Sequence, residues 1–489
     1  MTTALNRALA LCDRAVEILD GTSRSADVRA VRLRAEGPLR VALAGRVKAG
    51  KSTLLNALVG ERLAATDAGE CTRIVTWYVG GASYDAEAVL HDGSRTALAF
   101  RRVDGAMSID LGTLDVDQVS RIEVTWPSAS LRQVTLIDTP GLASLDDRNS
   151  LRTREFLAMG EDRPSDADAV IYLMRHLHRA DAEFLGAFLD RSVTASSPVN
   201  AVAVLARADE IGACRLDAMV SASRIAARYQ ADPAVRALCT HVTPMAGLLA
   251  ETGLTLREDE AAALRLLAST PPAELAGMLL SADGFCEPAV SDLTVELRRA
   301  LLGRLGLFGL RLLMEEIGDG RVSSAPDMSR ALIAVSGLEG LRTLIEQRFL
   351  PRAQTLKARS ALAALRDIAR AVAFEDASKA NALDAEVERV ESAIADFAEL
   401  RAAHLVLSGE VVLTTDEANE VERVTTAGAT DDVRLDLPDG SSADQRRDAA
   451  LGAVARWRTR GSDPLNDTAV TEVCDTMTRA FEAAYMRTM

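Results

Sequence analysis

Leu39-Arg40-Val41-Ala42-Leu43-Ala44-Gly45-Arg46-Val47-Lys48-Ala49-Gly50-Lys51-Ser52-Thr53-Leu54-Leu55-Asn56 is the stretch that decides the fold. Gly37-Pro38 opens it, and Leu39 to Ala44 read as a buried strand. Thr53 to Val59 read as a helix, so the glycine-rich segment between them joins a strand to a helix N-terminus. Gly45-x-x-x-x-Gly50-Lys51-Ser52 matches the phosphate-cradling loop in the context that loop requires. Its glycines let backbone N–H groups wrap phosphates, and the helix start adds its positive end. Lys51 is placed to neutralise the β and γ oxygens, and the Ser52 hydroxyl to ligate Mg²⁺.

Working outward, Val134-Thr135-Leu136-Ile137-Asp138-Thr139-Pro140-Gly141 is an apolar strand ending in an acid. Asp138 is expected to hold the Mg²⁺ shell, and Gly141 to offer its N–H to the γ-phosphate. This form is more typical of GTPases than of ATPases. Ala206-Arg207-Ala208-Asp209 follows a further apolar strand, Val199 to Leu205. Asp209 is expected to accept from guanine N1–H and the 2-amino group, which adenine lacks, with the Arg207 stem over the base. Ala206 brings no polar side chain to this contact. Val242 to Ala246 is a weaker candidate for a last base-contacting loop.

Thr66, Thr72 and Thr76 compete as the residue that closes on Mg²⁺ and the γ-phosphate; Thr72 is preferred for its neighbours Cys71 and Arg73. The expected nucleotide contacts are Gly45, Arg46, Val47, Lys48, Ala49, Gly50, Lys51, Ser52, Thr53, Asp138, Gly141, Arg207 and Asp209. Ser52, Thr72 and Asp138 are the expected metal ligands, and Lys48, Lys51 and Thr72 the expected catalytic residues. Of 56 basic residues only Lys48, Lys51, Lys357 and Lys379 are lysine, and two of them share this one loop. Lys48 is read either as a charge near the β–γ bridge or as a lysine in solvent.

Composition bounds the rest. The length of 489 residues predicts two or three domains. A net charge of −15 argues against a nucleic-acid partner and against simple attraction to anionic lipid. The N-terminus lacks a basic region followed by an apolar stretch, so no signal peptide is expected. No apolar run is long enough to span a bilayer; the best candidate, Leu301 to Ile317, is interrupted by Arg304, Arg311, Glu315 and Glu316, and a core or amphipathic helix is the expectation. Six scattered cysteines read as reduced thiols of a cytoplasmic protein.

The α/β pattern runs to about residue 220, with a hairpin signal at Asp92-Gly93. Residues 212 to about 335 read as mostly helical. Leu5, Leu9, Cys12, Val16 and Leu19 form one stripe, and Leu383, Val387, Val390, Ile394 and Phe397 another. The helices before and after the polar turn Glu375 to Lys379 should pack antiparallel. Helices are also predicted near 443–460 and 465–486, and packing the first and last helices together beside the one from Leu341 would bury both stripes. The expected fold is an α/β P-loop GTPase domain with an all-helical neck and trunk in an antiparallel bundle. The expected units are a neck helix over 1–36, the GTPase domain over 37–337 and helical neck and trunk over 338–489.

GRVKAGKSTLLNAL, CTR, LIDTPGL and LARADEIG together resemble the bacterial dynamin-like GTPases, specifically the actinobacterial, isoniazid-induced kind. The resemblance covers residues 1 to about 360 well and the helical tail more loosely. It implies Mg²⁺-dependent GTP hydrolysis, a helical neck containing both chain ends, and dimerisation across the nucleotide face, as a homodimer or with a paralogous partner. It also implies membrane remodelling by a cytoplasmic protein that contacts the inner face of the membrane peripherally. The alternative is a slow-turnover, GTP-switched scaffold that regulates such a paralogue. Three departures stand out: Val47-Lys48 where dynamins have Gln-Ser, Leu142 where Ras-like proteins have Gln, and a polar trunk turn at Glu375 to Lys379. The loop Arg175-His176-Leu177-His178-Arg179 is read either as a contact to a second subunit or as a solvated loop.

Overall fold

The computed structural model describes residues 3–64, 74–103, 106–140, 167–175, 200–287, 293–426 and 428–489. Two helices, α1 (Ala4–Ile18) and α2 (Ser25–Glu36), lead into β1 (Leu39–Gly45), which is buried at every position but Arg40. β1 is the fourth of nine strands in the sheet, an interior place that suits an apolar strand buried on both faces. After helix α3 (Lys51–Val59) come β2 (Thr76–Gly80), β3 (Asp85–Leu90), β4 (Arg95–Ala97), β5 (Ala99–Val103), β6 (Ala106–Asp110), β7 (Val119–Trp126) and β8 (Val134–Asp138). β9 (Ala169–Met174), β10 (Ala201–Ala206) and β11 (Val242–Met245) complete the set. The sheet order is β11-β10-β9-β1-β8-β2-β7-β3-β4, and β5 and β6 pair separately.

From β11 to β8 the pairs are parallel, whereas β2 runs antiparallel to β8. The predicted hairpin forms between β3 and β4, with Gly93 at its turn. β11 lies in the stretch read as mostly helical. Pro244 makes the run look like a loop, but β11 is the edge strand, where a missing N–H is tolerated.

A helical layer follows β10: α4 (Ala218–Ala231), α5 (Gly247–Thr255), α6 (Glu258–Ala268), α7 (Val295–Gly318) and α8 (Ala325–Ser336). Its core joins Leu249, Leu264, Phe285, Leu305, Phe308 and Met328. A short helix and a π-helical turn over Leu338–Phe349 then reach the joint at Pro351-Arg352.

Beyond the joint lie two adjoining bundles, linked where Thr355 Oγ1 donates to Asp396 and where Phe397 reaches the core of the first. α9 (Ala353–Val372) and α10 (Ala377–Ser392) pack antiparallel as expected and take in α1 and α2. The predicted stripe Leu383, Val387, Val390, Ile394 and Phe397 is buried here. The α1 stripe is rotated toward Ala4, Ala8, Leu11 and Ala15, which face Ala358, Ala361, Leu365 and Ala369. Small residues on both faces let the helices approach closely.

The second bundle is α11 (Ala395–Leu407), α12 (Thr415–Thr425), α13 (Ala443–Gly461) and α14 (Thr468–Met486). The expectation that the first and last helices pack together is therefore corrected. The α14 stripe of Val473, Met477, Ala480 and Phe481 meets Ala450, Ala453 and Trp457 of α13 instead. A six-residue turn joins that pair, and closing it costs far less entropy than recruiting a helix from the other end of the chain. Among the described residues no helix is long and apolar enough to cross a membrane.

The polar turn at 375–379 also needs a correction as the sole bundle tip. In the second bundle the α11–α12 and α13–α14 turns share one end, because Arg460 pairs with Glu417 and Trp457 Nε1 donates to Glu420. That end exposes Val412 (80 %) and Leu465 (92 %). Even at the first tip, Phe374 stands just before the polar turn with 97 % exposure.

Candidate nucleotide site

The parallel register Leu43↔Asp138 brings the ends of β1 and β8 side by side, so the glycine-rich loop and the acid meet by topology. Gly45 has a φ of +150°, and a Cβ there would overlap the carbonyl oxygen of Leu173 on β9. Only glycine fits at that first position. The loop turns through an Ala49 N–H to Arg46 O bond of 3.1 Å and enters α3 at Lys51. Arg46, Val47 and Lys48 form its exposed rim, with Lys48 in the left-handed region at φ +62°.

Lys51 is buried, and its Nζ donates to Gly45 O at 3.2 Å and Arg46 O at 3.4 Å. Burial holds its ammonium below the usual lysine range, with Asp138 opposing. Burial likewise pushes the Asp138 carboxyl up, opposed by Lys51 and by a hydrogen bond from Ser52. That bond, from Ser52 Oγ to Asp138 Oδ2, is 2.9 Å. Asp138 Oδ1 is buried with no hydrogen-bond partner among the described residues. A partnerless carboxylate oxygen beside a serine hydroxyl fits a small, hard, oxygen-loving cation such as Mg²⁺. Thr139 Oγ1 donates to Leu43 O at 2.8 Å and fixes the strand end that carries Asp138.

At the other edge, β10 ends at Ala206, and Arg207 takes a left-handed φ of +53°. Asp209 is 7 % exposed, and burial, with Glu210 nearby, pushes its carboxyl up to about 6 against the pull of Arg207 and Arg175. Arg207 Nη1 donates to Glu210 at 2.8 Å, which ties off the guanidinium and leaves the stem beside Asp209. Arg175 also pairs with Glu210, so the first residue of the basic loop is engaged within its own subunit. The Ala246 N–H donates to Ser336 O at 2.8 Å, so the Val242–Ala246 segment offers no free amide at its end.

Thr66, Thr72 and Gly141 lie outside the described residues, as do Cys71, Arg73, Leu142 and His176 to Arg179. Thr76 is a buried β2 residue whose hydroxyl donates to Ile74 O at 3.4 Å. Two residues that the sequence reading passed over shape the site from behind. Asn56 accepts from Leu63 N (2.9 Å) and Ala64 N (2.7 Å) and pins the chain just before the threonine-bearing segment. Glu251 of α5, 3 % exposed, grips Arg62 at 2.8 Å. Neither belongs to a motif, so no spacing signal existed to find them.

A phosphate-type loop between a central parallel strand and a helix, with an acid at the next strand's end, defines a P-loop nucleotide-binding protein. Residues 41–202 match the dynamin family. The isoniazid-induced protein IniC of Mycobacterium tuberculosis is 39 % identical over 455 residues, which cover 91 % of this chain and 90 % of that protein. A bacterial dynamin-like protein of Nostoc punctiforme is 31 % identical over 130 residues, 24 % of this chain and 18 % of its own. A solved structure of an oligomerised bacterial dynamin pair aligns over 99 % of this chain and 75 % of that one, at 12 % identity and a TM-score of 0.30. The chain belongs to the dynamin family, as a bacterial dynamin-like GTPase of the actinobacterial type.

Proposed function

We propose that this GTPase binds Mg²⁺–GTP at residues 45–53, hydrolyses it, and couples nucleotide-dependent dimerisation to membrane remodelling. The observation that carries the reading is the buried Lys51–Ser52–Asp138 cluster with its partnerless Asp138 oxygen. Ser52 and Asp138 would hold the ion, which supplies charge neutralisation to the β and γ oxygens. Lys51 exchanges its two loop carbonyls for phosphate oxygens, and the amides of residues 46–53 wrap the phosphates. Asp209 accepts from the guanine N1–H and 2-amino group, and the Arg207 stem covers the base. The exposed rim Arg46, Val47 and Lys48 is the surface offered to a second subunit. Mg²⁺-dependent phosphate release from GTP tests the chemical half of the reading.

Asp209 gives a pH signature. An acid with a folded pKa near 6 and an ordinary value of 3.8 binds more protons folded than unfolded between those values. The free protein should thus lose stability at this site as pH rises from about 4 to about 6. Guanine needs the ionised form, so GTP affinity should fall about tenfold per unit below pH 6. In Asp209→Asn the free protein should melt higher at neutral pH, while guanine preference and the pH dependence of affinity disappear. Affinity titrations at pH 5 and 7.5 with both proteins check this; an unchanged pH slope in the variant would refute it.

Membrane contact is assigned to the Val412–Leu465 tip. Burying both side chains contributes about 3–6 kcal/mol, which gives weak binding for one chain and useful avidity for an assembly. Glu410, Asp416, Asp463 and Asp467 flank the tip and oppose anionic lipid. The chain alone should therefore pellet poorly with vesicles, and GTP should increase pelleting with zwitterionic ones. Val412→Asp with Leu465→Asp should remove that gain. Strong nucleotide-independent pelleting with anionic vesicles at physiological salt would overturn the assignment.

The slow-turnover scaffold keeps one observation in its favour, the buried, apolar Ala206 at the base edge. A turnover that vesicles and assembly leave unchanged would select it.

A further inference from the structure

Helix α7 is broken where it passes the nucleotide's base edge. Gly306 has φ +61° and ψ 178°, a conformation outside the helical region and closed to other residues, in the middle of Val295–Gly318. A Cβ on Gly306 would stand 3.7 Å from Asp209 Oδ2 and 3.7 Å from Leu248 Cδ2. The break is held from both sides. Before it, Arg304 donates to Glu260 and Thr255, and its carbonyl accepts from Thr252 Oγ1. After it, Arg311 binds the carbonyls of Ala213 and Cys214 on the segment that follows Asp209, and that of Leu279 at the end of the helix Pro272–Met278.

Three facts give this break a role. Asp209 is 7 % exposed, and its carboxylate takes a hydrogen bond from its own backbone N–H. The Ala246 amide is already taken by Ser336. The space over Asp209 Oδ2 is kept open by the missing side chain at Gly306. We propose that the Gly306 break and Leu248 form the wall of the guanine subsite, so that Gly306 is a specificity-determining position that keeps Asp209 Oδ2 open to the base's donors. The inference rests on the reading of Asp209 as the guanine acceptor. A methyl group in van der Waals contact with Oδ2 blocks the approach to about 2.9 Å that an N–H donor needs.

The same wall reaches the phosphates. Leu248 belongs to α5, and at the start of that helix a Cβ on Gly247 would lie 3.6 Å from Thr53 Cγ2 at the beginning of α3. The start of α5 thus lies beside both the Gly306 break and the beginning of α3.

The test uses the full chain and competition binding of GTP, ITP (which lacks the 2-amino group), XTP, ATP and inorganic tripolyphosphate. Gly306→Ala should weaken GTP roughly 10- to 100-fold and bring it near ITP, while tripolyphosphate is unchanged. Leu248→Phe fills the same space without backbone strain and should act alike. Gly303→Ala, with nothing within 4 Å of its Cβ, is the neutral control. If Gly306→Ala does not fold, Leu248→Phe decides. A GTP-to-ITP ratio that stays within about twofold of the unaltered protein in the folded variants overturns the proposal. So does a parallel loss of tripolyphosphate binding, which a merely structural role would give. Failure of the underlying reading looks different: the unaltered chain would not prefer GTP to ATP, or Asp209→Asn would not shift preference toward XTP.

Discussion

Lys51→Ala is expected to weaken GTP and GDP binding at least about a hundredfold, the largest effect of any single change in the chain. Lys51 is the buried cation of the site, and its present acceptors are only the Gly45 and Arg46 carbonyls. On the proposed reading, phosphate oxygens would replace those carbonyls with charge-assisted bonds at a buried ammonium, where such bonds are strongest. Stability of the free protein should move much less. The substitution removes an unfavourably buried ammonium together with its attraction to Asp138, and the two terms oppose each other. Equilibrium binding of a fluorescent guanine nucleotide, beside a thermal melt, separates the two quantities. Retained affinity in a folded Lys51→Ala protein would remove the loop from the site.

Lys48→Ala is expected to slow single-turnover hydrolysis by about a hundredfold while the GTP dissociation constant stays within about twofold. Lys48 stands on the exposed rim of the loop at φ +62°. A charge there stabilises a transition state more than a ground state, within the subunit or across a dimer. Alanine is no more at ease than lysine with a left-handed backbone, so the comparison is fair on strain. Lys48→Arg should keep most of the rate if charge is what matters. An unaltered rate in Lys48→Ala would assign Lys48 to solvent.

The sequence made the catalytic half of the molecule readable because burial and chemistry coincide there. An apolar run ending in Gly45 had to be a central strand, and Lys51, Ser52 and Asp138 meet through strand register alone. The heptad from Leu383 to Phe397 was readable for a similar reason, since every member is buried. An amphipathic stripe states that a helix has a partner without saying which one. That is why α14 was matched to α1 when α13 was its neighbour. Val412 and Leu465 lie in separate short turns, and only the fold brings the turns to one end. Gly306 is one of several glycines in the apolar run of α7, with Gly303 and Gly309, and nothing in the sequence sets it apart. Without the third dimension nothing tied it to Asp209.

The division of the helices between two bundles has a consequence for how the chain is made. The second bundle is contiguous over residues 395–486 and can close as it leaves the ribosome. The first bundle cannot, because α1 and α2 are synthesised before the sheet while α9 and α10 follow it. At about 5–20 residues per second, the alanine and leucine face of α1 waits roughly 20–70 s for its partners. During that interval Ala8, Leu11, Cys12, Ala15 and Leu19 are an exposed apolar strip on a nascent chain, so biosynthesis of this protein calls for a holding chaperone or for rapid completion of translation.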